Sequence, residues 1–239
     1  MMQMINNQTV WAIVPAAGIG SRMCADKPKQ YLDLDGRCVI EHTLQRLASH
    51  PGIQGIVIAI AENDPWWSKV SVSKQAEIHV ITGGGERADS VLNALTHLNQ
   101  LVDDNPWVLV HDAARPCLRH QDIDAMLDQL SGHHVGGILG VPVTDTVKRV
   151  DNSNGIVDTV DRQGLWRAST PQMFHSQDLM HALHTAKSNQ LIVTDDASAM
   201  ELTGLKPMMV EGHADNIKIT VPQDLALASL FLKQQSGEV

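Results

Sequence analysis

Apolar residues gather along this chain in short runs that alternate with stretches of helical spacing. The first run, residues 10–14 (VWAIV), is ended by Pro15. Residues 53–60 (IQGIVIAI) are β-branched and nearly continuous, the pattern of a strand covered on both faces. Further strands are read at 77–82 (EIHVIT), at 107–116 (WVLVHDAARP, running into a polar turn) and at 136–143 (GGILGVPV). Helical spacing marks 41–49 and 121–130, and Val91, Leu92, Leu95 and Leu98 predict a helix starting shortly after the glycines of 83–85. The regularity breaks near residue 144. From there to 167, two short β-like runs flank the turn DNSNG, which predicts a hairpin. That segment has little apolar surface with which to form a core, so it is expected to project. Helical patterns return at 176–188 and 195–202, a strand is expected near 216–221, and a final helix starts from Pro222, a residue favoured at a first helical position.

Strand–helix alternation of this kind implies right-handed crossovers. The expected fold is α/β: a Rossmann-like, mainly parallel sheet with helices on both faces, plus a projecting β-hairpin arm. The chain reads as one domain spanning 1–239, with the arm inserted at about 144–167. Ligands of such sheets bind beyond the carboxyl ends of the strands, so the loops after Val14, Thr82 and Val110 should share one face.

Composition narrows the picture. Across 239 residues the formal charge is -9, which argues against a broad nucleic-acid footprint and makes any local cluster of cations informative. The three cysteines are scattered, with no disulfide framework or zinc spacing, and fit a reducing cytoplasm. The first residues, MMQMINNQT, lack a basic and an apolar targeting region, and no apolar run approaches the ~18 residues of a membrane span.

Four stretches offer chemistry. Residues 14–31 hold a glycine-rich turn, Gly18-Ile19-Gly20-Ser21-Arg22-Met23, that begins like a dinucleotide fingerprint but lacks its third glycine, and Pro28 follows. No Walker GK[ST] is present either. What remains is a loop of small residues (Ala16, Ala17, Gly18, Gly20) whose amides can approach phosphate, with Arg22 able to fork onto two oxygens and Lys29 acting as a point charge. The plain alternative is a βα turn with incidental cations. In HDAARP (111–116), Asp112 is suited to Mg²⁺ shared with phosphate oxygens, and Arg115 to the same anion; a capping role for Asp112 is the competing reading. GGGERADS (83–90) offers either backbone contacts to a base or ribose, or a loop in which Asp89 or Ser90 caps the next helix. In DNIKIT (215–220), Lys218 sits in a β-like run, as on an exposed strand face. None of these loops pairs a nucleophile with a base, which points to positioning and charge stabilisation of phosphates rather than a covalent intermediate.

The ordered set PAAGIGSRM, KPKQY, GGERADSV, VHDAARP, DTVKR, TVDR.GLW, TPQ.F, TDDASA.E and EG..DNIKIT.P.DL resembles the 2-C-methyl-D-erythritol 4-phosphate cytidylyltransferase family of the non-mevalonate isoprenoid pathway, over about residues 10–230. PAAGxGxRM alone marks only the wider nucleotidyltransferase superfamily; HDAARP with DNIKIT is much narrower. The chain does not resemble the bifunctional form fused to a cyclodiphosphate synthase. The resemblance implies a Mg²⁺-dependent reaction of CTP with methylerythritol phosphate, giving the CDP-alcohol and pyrophosphate by in-line attack on the α-phosphorus. It implies that Arg22 and Lys29 stabilise the pentavalent phosphate, that Ala16, Ala17 and Gly18 face the triphosphate, and that Gly84 and Ser90 contact cytidine. Gly85 belongs to the same nucleotide-binding loop and stands where relatives often carry Asp, so one side-chain contact to the nucleotide is expected to be missing while the backbone contacts remain. Asp112, Ala113 and Arg115 match the metal and sugar-phosphate turn; Thr146, Arg162, Thr170 and Lys218 match substrate-positioning residues. Thr146 and Arg162 lie on the hairpin, which in the family reaches a second subunit, so a homodimer with shared sites is implied. Two rivals stand beside it: a cytidylyltransferase for another polyol phosphate such as ribitol 5-phosphate, and a nucleotide-binding regulator with a dead site. The second does not explain why Arg22, Lys29, Asp112 and Lys218 occur together.

Overall fold

The structure is a computed structural model that describes residues 10–18, 26–71, 76–102, 104–237. In chain order its elements are β1 (Val10–Pro15), β2 (Asp33–Leu34), β3 (Arg37–Cys38), α1 (Val39–Ala48), β4 (Ile53–Ile60), β5 (Glu77–Thr82), α2 (Arg87–Leu101), β6 (Trp107–Val110) and α3 (His120–Leu130). Then follow β7 (Gly136–Pro142), β8 (Val147–Val150), β9 (Ile156–Val160), β10 (Trp166–His175), α4 (Ser176–Ser188), α5 (Asp196–Leu202), β11 (Met208–Glu211) and α6 (Gln223–Ser236).

Seven strands form the main sheet in the order β11-β7-β10-β6-β1-β4-β5. Six run in one direction, and β10 alone is antiparallel to both of its neighbours. Side chains alternate across a strand, and β1 shows what this does to packing. Val10, Ala12 and Val14 face α1 and α3, meeting Ile40, Leu44, Ile123 and Met126. Trp11 and Ile13 face the opposite layer, with Val91, Leu95 and Leu98 of α2, Leu179 of α4 and Met200 of α5. Helices thus cover both faces, as the continuous apolar strands require. The order reverses between β1 and β6, so the loops leaving their carboxyl ends diverge and open a crevice there.

Two expectations need correcting. The segment near 216–221 is not a strand; the last strand is β11 (Met208–Glu211), paired to β7. Ile219 gives the false signal: it alternates with polar residues and is fully buried, but only its amide is tied sheet-fashion, to Ala114 O at 2.9 Å. Conversely, β10 was absent from the sequence reading because Pro171 and the polar residues around it interrupt the pattern, and its ladder with β7 shifts register between Ala168 and Gln172. The hairpin is present. β8 and β9 pair with each other in a separate two-stranded sheet and leave Val150, Ile156 and Val157 exposed. Among the described residues no helix is long and apolar enough to cross a membrane.

Candidate active site

Three loops at the carboxyl ends of β1, β5 and β6 converge on one cavity. It is lined by Ala16, Ala17 and Gly18, by Lys29 and Gln30, by Gly84, Gly85, Arg87 and Ser90, and by Asp112, Ala113 and Lys218. A second chamber lies against it, walled by Arg115, Ser169, Thr170, Gln172, Thr194 and Asp195. Arg87, Asp112 and Lys218 belong to both, so they form the partition.

The first loop is held from below. Gln30, almost fully buried, donates to Ala16 O at 2.7 Å and Gly18 O at 3.0 Å. Because C=O and N–H point opposite ways in a trans peptide, anchoring the Ala16 carbonyl turns the Ala17 amide away from Gln30. Lys29, in a single 3₁₀ turn with Gln30 and Tyr31, donates from Nζ to Ile219 O at 2.9 Å. That contact fixes the ammonium at the cavity wall before any ligand arrives. Arg22 lies outside the described residues. Lys27, read from sequence as a solvated charge, has its ammonium 6.0 Å from the Trp66 ring centroid.

The second loop is built by close approach. A Cβ at Gly83 would come within 2.6 Å of the Ala17 methyl, and one at Gly84 would collide with the Asp89 side chain. Only glycine lets this loop lie against the first. At Gly85 a Cβ would meet nothing nearer than 3.9 Å, so the position has room for a side chain. Ser90 Oγ accepts from Gly84 N–H at 3.0 Å and donates to Glu86 O at 3.2 Å. Its hydroxyl is therefore already committed to shaping the loop it was expected to share with cytidine. The capping alternative holds as well: Asp89 accepts from the Glu86 amide at 3.2 Å.

The third loop carries the carboxylate. Asp112 Oδ1 accepts from Arg87 Nε at 3.0 Å, while Oδ2 lies 2.7 Å from Lys218 Nζ and 3.6 Å from Arg115 Nε. Burial would raise its pKa, but Arg87, Lys218 and Arg115 together hold it well below the usual carboxylate range. Asp112 is a partner of cations rather than a cap. Its amide donates to Thr170 Oγ1 at 3.1 Å, and Thr170 Oγ1 lies 3.0 Å from His111 Nδ1. His111 Nε2 is 3.0 Å from the Arg115 carbonyl, which can only accept. The proton therefore sits on Nε2, Nδ1 accepts from the Thr170 hydroxyl, and the imidazole is neutral. Full burial pushes the His111 pKa down to about 4, which keeps it so. Thr170 thus both walls the second chamber and braces the turn that carries Asp112.

Lys218 is delivered by an irregular segment pinned by side chains. Arg115 donates to Asn216 O at 2.8 Å, Asn216 Nδ2 donates to Thr170 O at 2.8 Å, and Arg119 Nε donates to Asp215 at 2.9 Å. Thr146 and Arg162 are exposed on the arm and line neither chamber of their own chain; Arg162 donates to the Thr144 carbonyl. Among the described residues no three His, Cys, Asp or Glu side chains cluster to hold a metal. The sequence reading missed Arg87, Gln30, Gln172, Asp195 and Asp196. Arg87 had one signal, a cation at the start of a helix, where the macrodipole disfavours it.

Comparison with known proteins agrees over nearly the whole chain. A family profile described as 2-C-methyl-D-erythritol 4-phosphate cytidylyltransferase matches residues 10–234. A protein of that name from Vibrio vulnificus (strain YJ016) is 51% identical over 224 residues, 94% of either chain. Among solved structures, a 4-diphosphocytidyl-2C-methyl-D-erythritol synthase superimposes with TM-score 0.81 at 35% identity, covering 95% of this chain and 100% of the other. The Francisella tularensis 2-C-methyl-D-erythritol 4-phosphate cytidylyltransferase follows with TM-score 0.78 at 37% identity, covering 93% and 99%.

Proposed function

The chain belongs to the 2-C-methyl-D-erythritol 4-phosphate cytidylyltransferase family, and from that premise we propose that it transfers CMP from CTP to 2-C-methyl-D-erythritol 4-phosphate, releasing pyrophosphate. The observation that carries the reading is the pair of chambers divided by Arg87, Asp112 and Lys218. The first, with its small-residue loops and Lys29, takes the nucleotide; the second takes the acceptor phosphate. An acceptor oxygen bonds to the α-phosphorus, and the bond from that phosphorus to the bridging oxygen breaks in line. Negative charge grows beside Lys29 and Lys218, and the family resemblance assigns Arg22 to the same charge. Charges fixed in place before the reaction cost no reorganisation during it, and the tether from Lys29 to Ile219 O favours this.

Magnesium fits as a companion of the nucleotide. The chemistry of the donor set supports one ionised carboxylate, Asp112, which suits Mg²⁺ only when phosphate oxygens and water complete its shell. When bound, the ion would neutralise triphosphate charge; Asp112 would then yield one of its present cationic partners. Residues 144–167 form an arm inserted in a single domain 1–239, and it joins two chains as a homodimer. Thr146 and Arg162, which line neither chamber of their own chain, then serve the partner's acceptor site. The setting is cytoplasmic.

Pyrophosphate release, measured with CTP against methylerythritol phosphate, ribitol 5-phosphate and no acceptor, tests the assignment. Release is expected only with the first and only with Mg²⁺ present. Faster release with ribitol 5-phosphate would transfer the chain to the rival specificity.

A further inference from the structure

Asp196 is the first residue of α5, completely buried, and no part of the chemistry described so far uses it. One of its oxygens, Oδ1, is buried without a hydrogen-bond partner among the described residues. The other accepts from Arg87 Nη2 at 2.8 Å. The same guanidinium donates from Nε to Asp112 Oδ1 at 3.0 Å. A planar fork thus spans two carboxylates that lie 84 positions apart in the chain (196 less 112). Stability alone does not account for this arrangement. A buried ion pair often contributes no more than well-packed apolar residues would, because desolvation offsets the attraction. Here desolvation is incompletely offset, since one carboxylate oxygen has no partner among the described residues. Arg87 also stands at the N-terminal position of α2, against the preference of the helix dipole.

Both costs are understandable if the pair fixes something else. Among the described residues, the other side chain to which Arg87 donates is Asp112, at the partition between the two chambers. A single contact leaves a guanidinium free to pivot; two, from Nε and from Nη2 to different carboxylates, fix its orientation. We propose that Asp196 is a positioning residue for cytidylyl transfer: acting through Arg87, it sets the direction of the Asp112 carboxylate and so the wall between nucleotide and acceptor. The proposal rests on the functional reading above for its kinetic consequence, but not for its geometric one.

The experiment has one arm for each consequence. In a ¹⁵N NMR spectrum of the unliganded protein, the Arg87 Nε–H signal is assigned by its loss in Arg87→Lys. It is expected to be sharp and slowly exchanging in the native chain, and exchange-broadened or lost in Asp196→Asn while the fold is retained. A native-like Nε–H signal in folded Asp196→Asn overturns the proposal, whatever the activity. In the kinetic arm, Asp196→Asn and Arg87→Lys are each expected to lower kcat by about 10- to 100-fold, the range seen when a group that orients a site residue is removed. KM for CTP should change much less. The double variant Arg87→Gln/Asp196→Asn joins two neutral amides, so it should recover the melting temperature lost in Arg87→Gln without recovering kcat. Recovery of kcat together with melting temperature would reduce the pair to a structural role and overturn the proposal. Absence of pyrophosphate release by the native protein would instead strike the functional reading, and the NMR arm would still decide the geometry.

Discussion

Lys29 is set apart from an ordinary surface lysine by the Ile219 carbonyl, which holds its ammonium at the cavity wall. Its replacement by Ala removes one preorganised charge donor, so kcat should fall by about 10²–10³-fold. The melting temperature should move little, and parallel calorimetry and initial rates check both halves of that statement. His111 gives a prediction of a different kind. Burial holds its folded pKa at about 4, below the ~6.5 of an unfolded chain. The unfolded state therefore binds the extra proton between those values. Stability from this group is complete above about pH 6.5 and lost as pH falls toward 4. Urea midpoints measured across that window should decline more steeply for the native chain than for His111→Gln; equal slopes would mean that the imidazole is not held neutral. At this scale the sequence was legible where a polar residue follows an apolar strand, as Asp112 does. Arg87 and Asp196 were not, because each reads as an ordinary charge at a helix start and only the fold brings them to 2.8 Å.

The loop after β5 shows how two neighbouring glycines can differ in meaning. Gly84→Ala forces a methyl into the Asp89 side chain and to 3.1 Å of its backbone carbon, so the loop must shift and CTP binding should weaken about 10-fold or more, the reach of a 1 Å misplacement in a positioned site. Gly85→Asp has open space and should fold as the native chain does, with a lower Kd for CTP if the added carboxylate reaches the nucleotide. Titration calorimetry on both variants checks the contrast. Elements buried on both faces, such as β4 and β1, were readable because β-branched runs leave few alternatives. The antiparallel β10 and the segment carrying Lys218 were not. In one, a proline and a register shift hide a real strand; in the other, the buried Ile219 imitates one, while the hold comes from Arg115, Asn216 and Arg119.

For the whole molecule, the question is whether one chain's arm completes another chain's site. If Arg162 acts across a two-fold interface and Lys29 within its own chain, mixing Arg162→Ala with Lys29→Ala subunits should restore up to about a quarter of native activity per total site, since about half of the dimers are mixed and each has one intact site. Subunit exchange without recovered activity would return Arg162 to its own chain. The expectation of an α/β sheet with a projecting hairpin was legible from alternation alone, whereas the partition between the chambers depends on contacts far apart in sequence. The chemistry assigned to that partition is tested most directly by following CTP and methylerythritol phosphate with the protein and Mg²⁺ by ³¹P NMR. Attack at the α-phosphorus requires pyrophosphate and a new diphosphate diester to appear in equal amounts, with no orthophosphate. Orthophosphate formed together with CDP, or pyrophosphate formed without the diester, would contradict it.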